Sequence, residues 1–313
     1  MAQKANTANT SRLNRLGRKI YADRYLYLMM IPGIIIVFIF SYMPMYGLQI
    51  AFRDYKIKDG FFGSAWVGLK HFERLFTHPD GKQAIINTLI ISFNSLIWAF
   101  PAPIILSLLL NELKFPRYKK TVQSILYLPH FMSWVVINGL LFGFFSVTSG
   151  MVNKLIVAGG GQAINFLSNP NTFRTLLYLT NIWKGAGWGT IIYMAAITGV
   201  DPTLYEAAEI DGAGRLRRMW NITLPSIKFT IVTLLILNVG SVMSSNFDQI
   251  YNLISAPVYP VAQTIDVLVY EQGVTKMSYS FTTAIGLFQQ VINFILLLST
   301  NWVVKRMGED SFL

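Results

Sequence analysis

Few residues in this sequence have the types and spacings that catalysis or metal binding requires. It contains no cysteine, which excludes disulfide bonds and thiolate metal sites. Its histidines, His71, His78 and His130, do not form a metal-binding spacing such as H-E-x-x-H. The phosphate-binding pattern G-x-x-x-x-G-K-[ST] is also absent, because the glycines at 159–161 precede no lysine and the Gly-Lys pair at 81–82 lacks the other required residues. The chain is therefore not predicted to be an enzyme.

A second group of polar residues lies inside long apolar stretches. A charged side chain at mid-bilayer costs about 2.5 to 3.5 kcal/mol, so Lys184 is predicted to face the protein interior or a wet cavity. Amides can hydrogen-bond sugar hydroxyls and aromatic faces can stack on sugar rings, which would suit a transient oligosaccharide path, although the same residues could instead bridge or pack helices. The candidate path residues are Asn94, Trp98, Asn181, Trp183, Lys184, Trp188, Asn238, Gln289, Gln290 and Asn293.

The composition predicts a membrane protein. Hydrophobic residues make up 53% of the 313 residues and charged residues only 13%, against about 25% charged in soluble proteins. A soluble fold could hardly bury so much apolar surface. The net charge of +11 would also suit nucleic-acid binding, but the basic residues stand in short clusters beside apolar runs, which is typical of a membrane protein oriented by its cytoplasmic loops.

Apolar segments of about 20 residues predict an all-α integral membrane protein with six transmembrane helices. They lie near residues 25–49, 84–110, 121–146, 173–199, 227–247 and 281–304. The first is too long for a signal-peptide core and is interpreted as a retained helix. Within the third, Gly139-x-x-x-Gly143 predicts a close helix-packing site. The chain accordingly divides into a basic cytoplasmic segment at 1–24, a transmembrane domain at 25–304 and a short cytoplasmic tail at 305–313.

The distribution of lysine and arginine predicts that both termini are cytoplasmic. Basic residues concentrate before the first span, between spans two and three, between spans four and five and after span six, which the positive-inside rule assigns to the cytoplasm. One predicted external loop, at about 50–83, conflicts with this rule. It holds the basic residues Arg53, Lys56, Lys58, Lys70, Arg74 and Lys82.

The predicted cytoplasmic loop at 200–226 contains residues typical of helix starts and helix ends. Asp201 can cap a helix that starts with Pro202, and Gly212 and Gly214 can end it, which predicts a short helix over about 202–211 parallel to the membrane. The small alanines of this helix could let another protein approach closely. A second short helix is predicted to start after Gly214 and to stop before Pro225.

This loop resembles the coupling loop of permease subunits of ATP-binding-cassette importers. The family pattern is E-A-A, three residues, G, nine residues, I-x-L-P, and every fixed position is filled. The matching residues are Glu206, Ala207, Ala208, Gly212, Ile222, Leu224 and Pro225. The resemblance implies that this coupling helix, lying between spans four and five with Asp211 and Ala213 at its end, docks into a groove on a separate ATPase subunit. ATP and Mg would be bound there, with no cofactor in this chain.

Further stretches extend the resemblance over nearly the whole chain. Residues 32–33, 42–47, 127–134 and 286–289 look like the oligosaccharide and polysaccharide branch of such permeases, although helix packing could also explain their Pro, Gly and aromatic content. The resemblance implies a multi-pass protein of a bacterial or archaeal cell (inner) membrane. Its implied partners are a second, distinct permease that forms a heterodimer with it, two ATPase subunits and an external sugar-binding protein.

Two other classes of function are alternatives. An ion-coupled secondary transporter of a small polar solute would use Lys184, Asp248 or His130 as coupling residues, but inverted repeats are not evident and the coupling-loop match would be unexplained. A membrane scaffold or membrane-embedded enzyme is the weakest alternative, because no paired carboxylates, metal ligands or nucleophile lie at one predicted depth.

Overall fold

The computed structural model describes residues 21–244 and 246–308, and these residues are predominantly helical, with one isolated antiparallel bridge between Arg53 and Trp66. The expected all-α fold class is therefore confirmed at the level of secondary structure. Most of the predicted N-terminal segment and most of the tail lie outside the described residues.

The described α-helices follow one another along the chain between residues 24 and 306. They are α1 Arg24–Val37, α2 Gly60–Gly63, α3 Lys70–Thr77, α4 Pro79–Trp98, α5 Pro101–Asn111, α6 Pro116–Tyr127, α7 Trp134–Phe145, α8 Met151–Ala158, α9 Pro170–Thr198, α10 Pro202–Ile210, α11 Arg215–Arg218, α12 Leu224–Ser226, α13 Lys228–Val239, α14 Phe247–Leu253, α15 Tyr259–Ala262, α16 Ile265–Tyr270 and α17 Tyr279–Arg306. Shorter 3₁₀ and π turns extend or join them. The π turn Phe38–Tyr42 and the 3₁₀ helix Met43–Phe52 continue α1.

Three described helical stretches are long and apolar enough to cross a membrane, namely Arg24–Phe52, Pro79–Asn111 and Tyr279–Arg306. Two bent pairs, Pro116–Phe131 with Trp134–Phe145 and Arg215–Ser226 with Lys228–Val239, raise the number to five if each pair forms one span. Helix α9 has 29 residues, about 43 Å at 1.5 Å per residue, but it is not among the described stretches that are apolar enough over 18 consecutive residues. The six-span topology stays a prediction.

The expected third span does not run as one helix. Helices α6 and α7 meet at an angle of 101°, and the 3₁₀ turn Leu128–Phe131 lies between them. Pro129 within this turn lacks an N–H group, so the regular hydrogen-bond pattern is interrupted there. The sequence periodicity could not reveal a bend of this size.

The predicted end of the second loop helix is wrong. Helix α11 continues through the π turn Met219–Thr223 and through Pro225 to Ser226, and the chain then bends by 62° into α13. The Leu224 N–H bonds to the Met219 carbonyl, five residues back. This widened turn precedes Pro225, so the missing proline N–H does not stop the helix.

Close packing in the bundle occurs at glycines other than the predicted ones. A Cβ added at Gly187 on α9 would lie 2.0 Å from the Leu126 carbonyl oxygen, and one at Gly189 would lie 2.8 Å from Pro103. Helix α9 therefore lies against α5 and α6 with almost no space between them. At Gly139 and Gly143 an added Cβ would meet nothing within 4 Å, so their predicted close packing is not found among the described residues.

Candidate functional site

A cavity of about 410 Å³ lies among helices α4, α5, α9, α13 and α14. Its lining combines aliphatic and aromatic surface with hydroxyl and amide groups. The polar residues in the lining are Ser92, Ser95, Asn181, Asn238, Ser241, Ser244, Asn246 and Gln249. Within the described chain no charged side chain lines it. Such a lining can exchange hydrogen bonds with hydroxyl-rich solutes without holding an ion.

The turn that follows α13, at residues 240–244, brings several of these polar residues to the cavity. Buried amide side chains of α17 hold this turn in place. The Met243 N–H donates to Asn293 Oδ1 at 2.9 Å, and Gln289 Nε2 donates to the Met243 carbonyl at 2.5 Å. Asn293 Nδ2 also donates to Ser244 Oγ at 3.2 Å. Gln289 and Asn293, both predicted to line a path, are buried behind the lining and bond the backbone groups of Met243, in the turn that follows α13. They position Ser244 and do not line the cavity themselves.

Sequence reasoning missed Gln249, which joins two walls of the cavity. Its buried amide donates to the Leu177 carbonyl at 2.7 Å and to Thr180 Oγ1 at 2.8 Å, which fixes α14 on α9. It lies after the last residue of the apolar segment predicted as span five, so periodicity gave no reason to place it against α9.

A second missed network fastens the segment between α14 and α16 to the bundle. Asn87, fully buried on α4, donates to the carbonyls of Pro260 at 3.0 Å and Gln263 at 2.9 Å. Arg174 on α9 donates to Asn87 Oδ1 at 2.7 Å and to the Val261 carbonyl at 3.1 Å. The signal available in the sequence was the position of both polar residues at the start of apolar helices.

Lys184 faces the break between α6 and α7, not the cavity. Its Nζ donates to the carbonyls of His130 at 2.7 Å and Met132 at 2.6 Å, and it lies 5.6 Å from the centroid of the Trp134 ring. These contacts bind the ammonium group to carbonyls that the break leaves without helical partners. The His130 ring stacks on Trp188 with centroids 4.5 Å apart. Two residues of the predicted path therefore belong to this break.

The remaining predicted path residues are dispersed. Asn181 and Asn238 line the cavity. Asn94 donates to the Ile90 carbonyl of its own helix at 2.8 Å. Three others are exposed on the surface of this chain, namely Trp98, Trp183 and Gln290. The structure thus brings two of the predicted path residues together at the cavity.

The short helix α10 has well-defined ends. Asp201 Oδ1 accepts the Thr203 N–H at 2.9 Å, and this hydrogen bond lowers the pKa of the Asp201 carboxyl below its usual value. At the other end, the Ala213 N–H donates to the Ala208 carbonyl at 2.8 Å and the Gly212 N–H to the Glu209 carbonyl at 3.1 Å. With Gly212 at a φ of +71°, these bonds form a Schellman motif, which requires a left-handed residue at this position.

One face of α10 is held to the loop and the other is open. Tyr205 bonds Thr223 Oγ1 through its hydroxyl at 2.9 Å, which joins α10 to the π turn before Pro225. Glu206 and Ala207 are exposed, and Ile210 is 88% exposed. Of the other positions that match the family pattern, Ala208, Ile222 and Leu224 are half-buried, whereas Gly212 and Pro225 are exposed. Next to Gly212, Ala213 is half-buried and Asp211 is exposed. The helix is therefore attached to the loop on one face and exposed on the other.

Among the described residues, no group of three or more His, Asp or Glu side chains is placed to hold a metal ion. The three residues that an ion-coupled transporter would use each have a different environment. Lys184 bonds to carbonyls, His130 stacks on an aromatic ring and Asp248 is exposed at the start of α14.

The sequence matches a family of proteins described as the binding-protein-dependent transport system inner membrane component, over residues 81–309. It is 49% identical to the polygalacturonan/rhamnogalacturonan transport system permease protein YteP of Bacillus subtilis (strain 168), over 95% of this chain and 92% of that protein. It is 45% identical to protein LplB of the same organism, over 92% of this chain and 91% of that protein.

The fold also matches solved structures. A bacterial ABC transporter involved in the import of the acidic polysaccharide alginate contains a chain that is 39% identical, with a TM-score of 0.87 over 94% of this chain and 100% of that chain. A second structure, of the bacterial alginate ABC transporter in complex with an alginate pentasaccharide-bound periplasmic protein, matches with the same TM-score and 38% identity, over 95% of this chain and 99% of that chain.

Proposed function

Because the chain belongs to the family of binding-protein-dependent transport system inner membrane components, we propose that its cavity is part of the path through which an ATP-driven importer moves an oligosaccharide or polysaccharide fragment. The chain is the permease subunit of a carbohydrate importer that works with a binding protein. The observation that supports assigning the cavity to the saccharide path is its lining of hydroxyl and amide groups, without a charged side chain in the described residues. Such groups exchange hydrogen bonds with successive sugar hydroxyls and hold none of them tightly.

The helix α10 is proposed to transmit the motion that opens and closes this path. Its Schellman end and the Tyr205–Thr223 contact attach it firmly to α11 and its continuation, while Glu206 and Ala207 remain exposed. A helix held in this way moves as a rigid body when a partner pulls it. In this proposal two ATPase subunits bind ATP and Mg, draw together, and tilt the helices connected to α10. The chain itself performs no hydrolysis.

The other proposed partners follow from the same family. A second, distinct permease would complete the path, and an external sugar-binding protein would deliver the cargo. The alginate transporter structure in complex with a loaded periplasmic protein supports the second of these proposals. We place the protein in a cell membrane with several spans and both termini in the cytoplasm.

Affinity purification of the full-length chain in mild detergent tests the assembly. We expect an ATPase, a second permease and hydrolysis that a binding protein loaded with oligosaccharide stimulates. A stable chain that never brings down an ATPase, and whose uptake follows an ion gradient, would favour the ion-coupled alternative instead.

Asn181→Leu tests the path. It replaces an amide in the lining by an apolar group of similar size, and losing one hydrogen bond of about 0.5 to 1.5 kcal/mol should lower uptake about 2- to 10-fold at an unchanged protein level. The matched control is Gln290→Leu, because Gln290 is exposed and does not line the cavity. Equal uptake by both variants and the unmodified chain would contradict the assignment of the cavity.

A further inference from the structure

The segment that follows the first apolar stretch folds into a hairpin, defined here as residues 53–69. Its two arms are paired at the base, where the Asp54 N–H donates to the Ala65 carbonyl at 2.9 Å and the Val67 N–H donates to the Phe52 carbonyl at 2.8 Å. Inside the hairpin, Ser64 Oγ donates to the Gly60 carbonyl at 2.6 Å. The hairpin is therefore an ordered element with a fixed direction.

The tip of the hairpin turns back along the first apolar helix. The ring of Phe61 lies 5.8 Å from the ring of Tyr46 and 5.5 Å from that of Tyr55. Tyr46 precedes the end of the 3₁₀ helix at Phe52 by six residues, which is about 12 Å at 2.0 Å per residue. The tip thus lies beside the helix, about 12 Å before its end, and does not project beyond it.

Tyr46 lies about one bilayer thickness along the helix from the residues at its N-terminal end. There the guanidinium group of Arg24 lies 4.4 Å from the Tyr21 ring and 4.8 Å from the Tyr25 ring, a grouping typical of a membrane interface. The helical path from Tyr25 to Tyr46 spans about 30 Å at 1.5 Å per residue, and the hydrocarbon core is about 30 Å thick. The hairpin tip therefore lies at the opposite interface.

The side chains that the tip exposes are those of an interfacial element. Phe62 is 83% exposed and Ile57 is 67% exposed, although Phe61 between them packs inward. Lys56 and Lys58 flank Ile57 and are both exposed. Large apolar side chains next to lysines are unfavourable in water but favourable where acyl chains meet anionic headgroups.

We propose that this hairpin is a lipid anchor, which inserts Phe62 and Ile57 into the leaflet opposite the N-terminal end of the first helix. Lys56 and Lys58 bind the phosphate groups of anionic lipids there. This assignment also accounts for two of the basic residues of the 50–83 loop that conflict with the positive-inside rule, because lipid phosphates neutralise Lys56 and Lys58. It does not depend on which side of the membrane is cytoplasmic.

Site-directed spin labelling measures the depth of the tip directly, because the chain has no cysteine and one substitution gives one label in this chain. The probe is Phe62→Cys carrying a nitroxide, in full-length protein with its co-purifying subunits, in vesicles of phosphatidylcholine and phosphatidylglycerol. The references are Ile35→Cys on α1 for the membrane interior and Arg217→Cys for water, and both native residues are exposed. We expect the ratio of oxygen to nickel-chelate collisions at Phe62→Cys to exceed that at Arg217→Cys several-fold.

A ratio equal to that at Arg217→Cys would overturn the anchor. Protection that appears only after a substrate-binding protein is added would also overturn it and would assign the tip to a protein partner. Ile57→Cys gives an independent second probe, since this residue is exposed and its loss removes little packing.

The lysine contacts are tested in the same labelled protein. Replacing phosphatidylglycerol with phosphatidylcholine should lower the collision ratio about two-fold, and Lys56→Gln with Lys58→Gln should remove this dependence on lipid charge. Lys82→Gln is the matched control, because Lys82 is exposed on α4 outside the hairpin. A ratio that is insensitive to both lipid charge and the two lysines would overturn phosphate binding.

Discussion

Replacing Gly212 should separate ATP hydrolysis from transport, because this residue ends α10 in a conformation that other residues adopt at a cost. Its φ is +71°, and an added Cβ would meet nothing within 4 Å, so the penalty is conformational and not steric. A left-handed L-residue costs about 1 to 2 kcal/mol, and a β-branched one costs more. At 1.4 kcal/mol per tenfold change, Gly212→Ala should shift the turn toward other conformations about 5- to 30-fold.

We expect Gly212→Val to lower transport per ATP hydrolysed more strongly than Gly212→Ala, at an unchanged protein level. Gly212→Asn should retain most transport, because asparagine tolerates the left-handed region. The matched control is Gly214→Ala, since Gly214 lies in the same loop at a φ of −65° with equally open surroundings.

The assay measures uptake of labelled oligosaccharide and phosphate release in the same proteoliposomes. Transport by Gly212→Val equal to that of the unmodified chain would refute the role of the turn in coupling. Equal loss in Gly212→Val and Gly214→Ala would show that the loop tolerates no change, whatever the backbone conformation.

Three further predictions concern stability and local structure. Gly187→Ala should lower the detergent melting temperature by several degrees, since its Cβ would lie 2.0 Å from the Leu126 carbonyl oxygen, whereas Gly139→Ala, which meets nothing, should not; equal effects would contradict this packing. Lys184→Met should lower the free energy of unfolding by about 1 to 3 kcal/mol for each carbonyl left without a donor, which a lower unfolding midpoint would show. An unchanged midpoint would mean that water replaces the ammonium group. Because the folded-state pKa of Asp201 is lowered, its carboxylate should stabilise α10 fully above the unfolded-state pKa of about 3.9, and this stabilisation should be lost as the pH falls through the folded-state pKa. Asp201→Asn should remove this pH dependence of α10 stability. Hydrogen exchange of the α10 amides from pH 7 to pH 3 measures both effects.

The sequence predicted α10 well because its signals are local. Asp201 bonds to an amide two residues away, and Gly212 closes a turn with carbonyls of the same helix. Such contacts are present whatever the rest of the chain does, so residue type and spacing suffice to predict them. The end of the next helix was predicted wrongly, since the π turn before Pro225 makes room for a residue that usually stops a helix.

The contacts of the candidate path residues were harder to predict, because these residues bond to groups that are distant in the chain. Lys184 bonds to carbonyls more than fifty residues earlier, and Asn293 bonds to the Met243 amide fifty residues earlier. Both look like polar residues in apolar helices, and the sequence does not distinguish one that faces a cavity from one that completes a broken backbone. Asn181 and Asn238, which do line the cavity, carried the same signal.

The lining of the cavity, which contains no charged side chain among the described residues, has an electrical consequence. Each unit charge that crosses a membrane exchanges about 2.3 kcal/mol with every 100 mV of membrane potential. Within the described chain, the lining adds no charged group of its own, so the charge that crosses with an acidic saccharide is that of its carboxylates. Import of such a saccharide into a cell with a negative interior should therefore slow as the voltage grows, whereas import of a neutral saccharide of equal length through the same cavity should be independent of voltage.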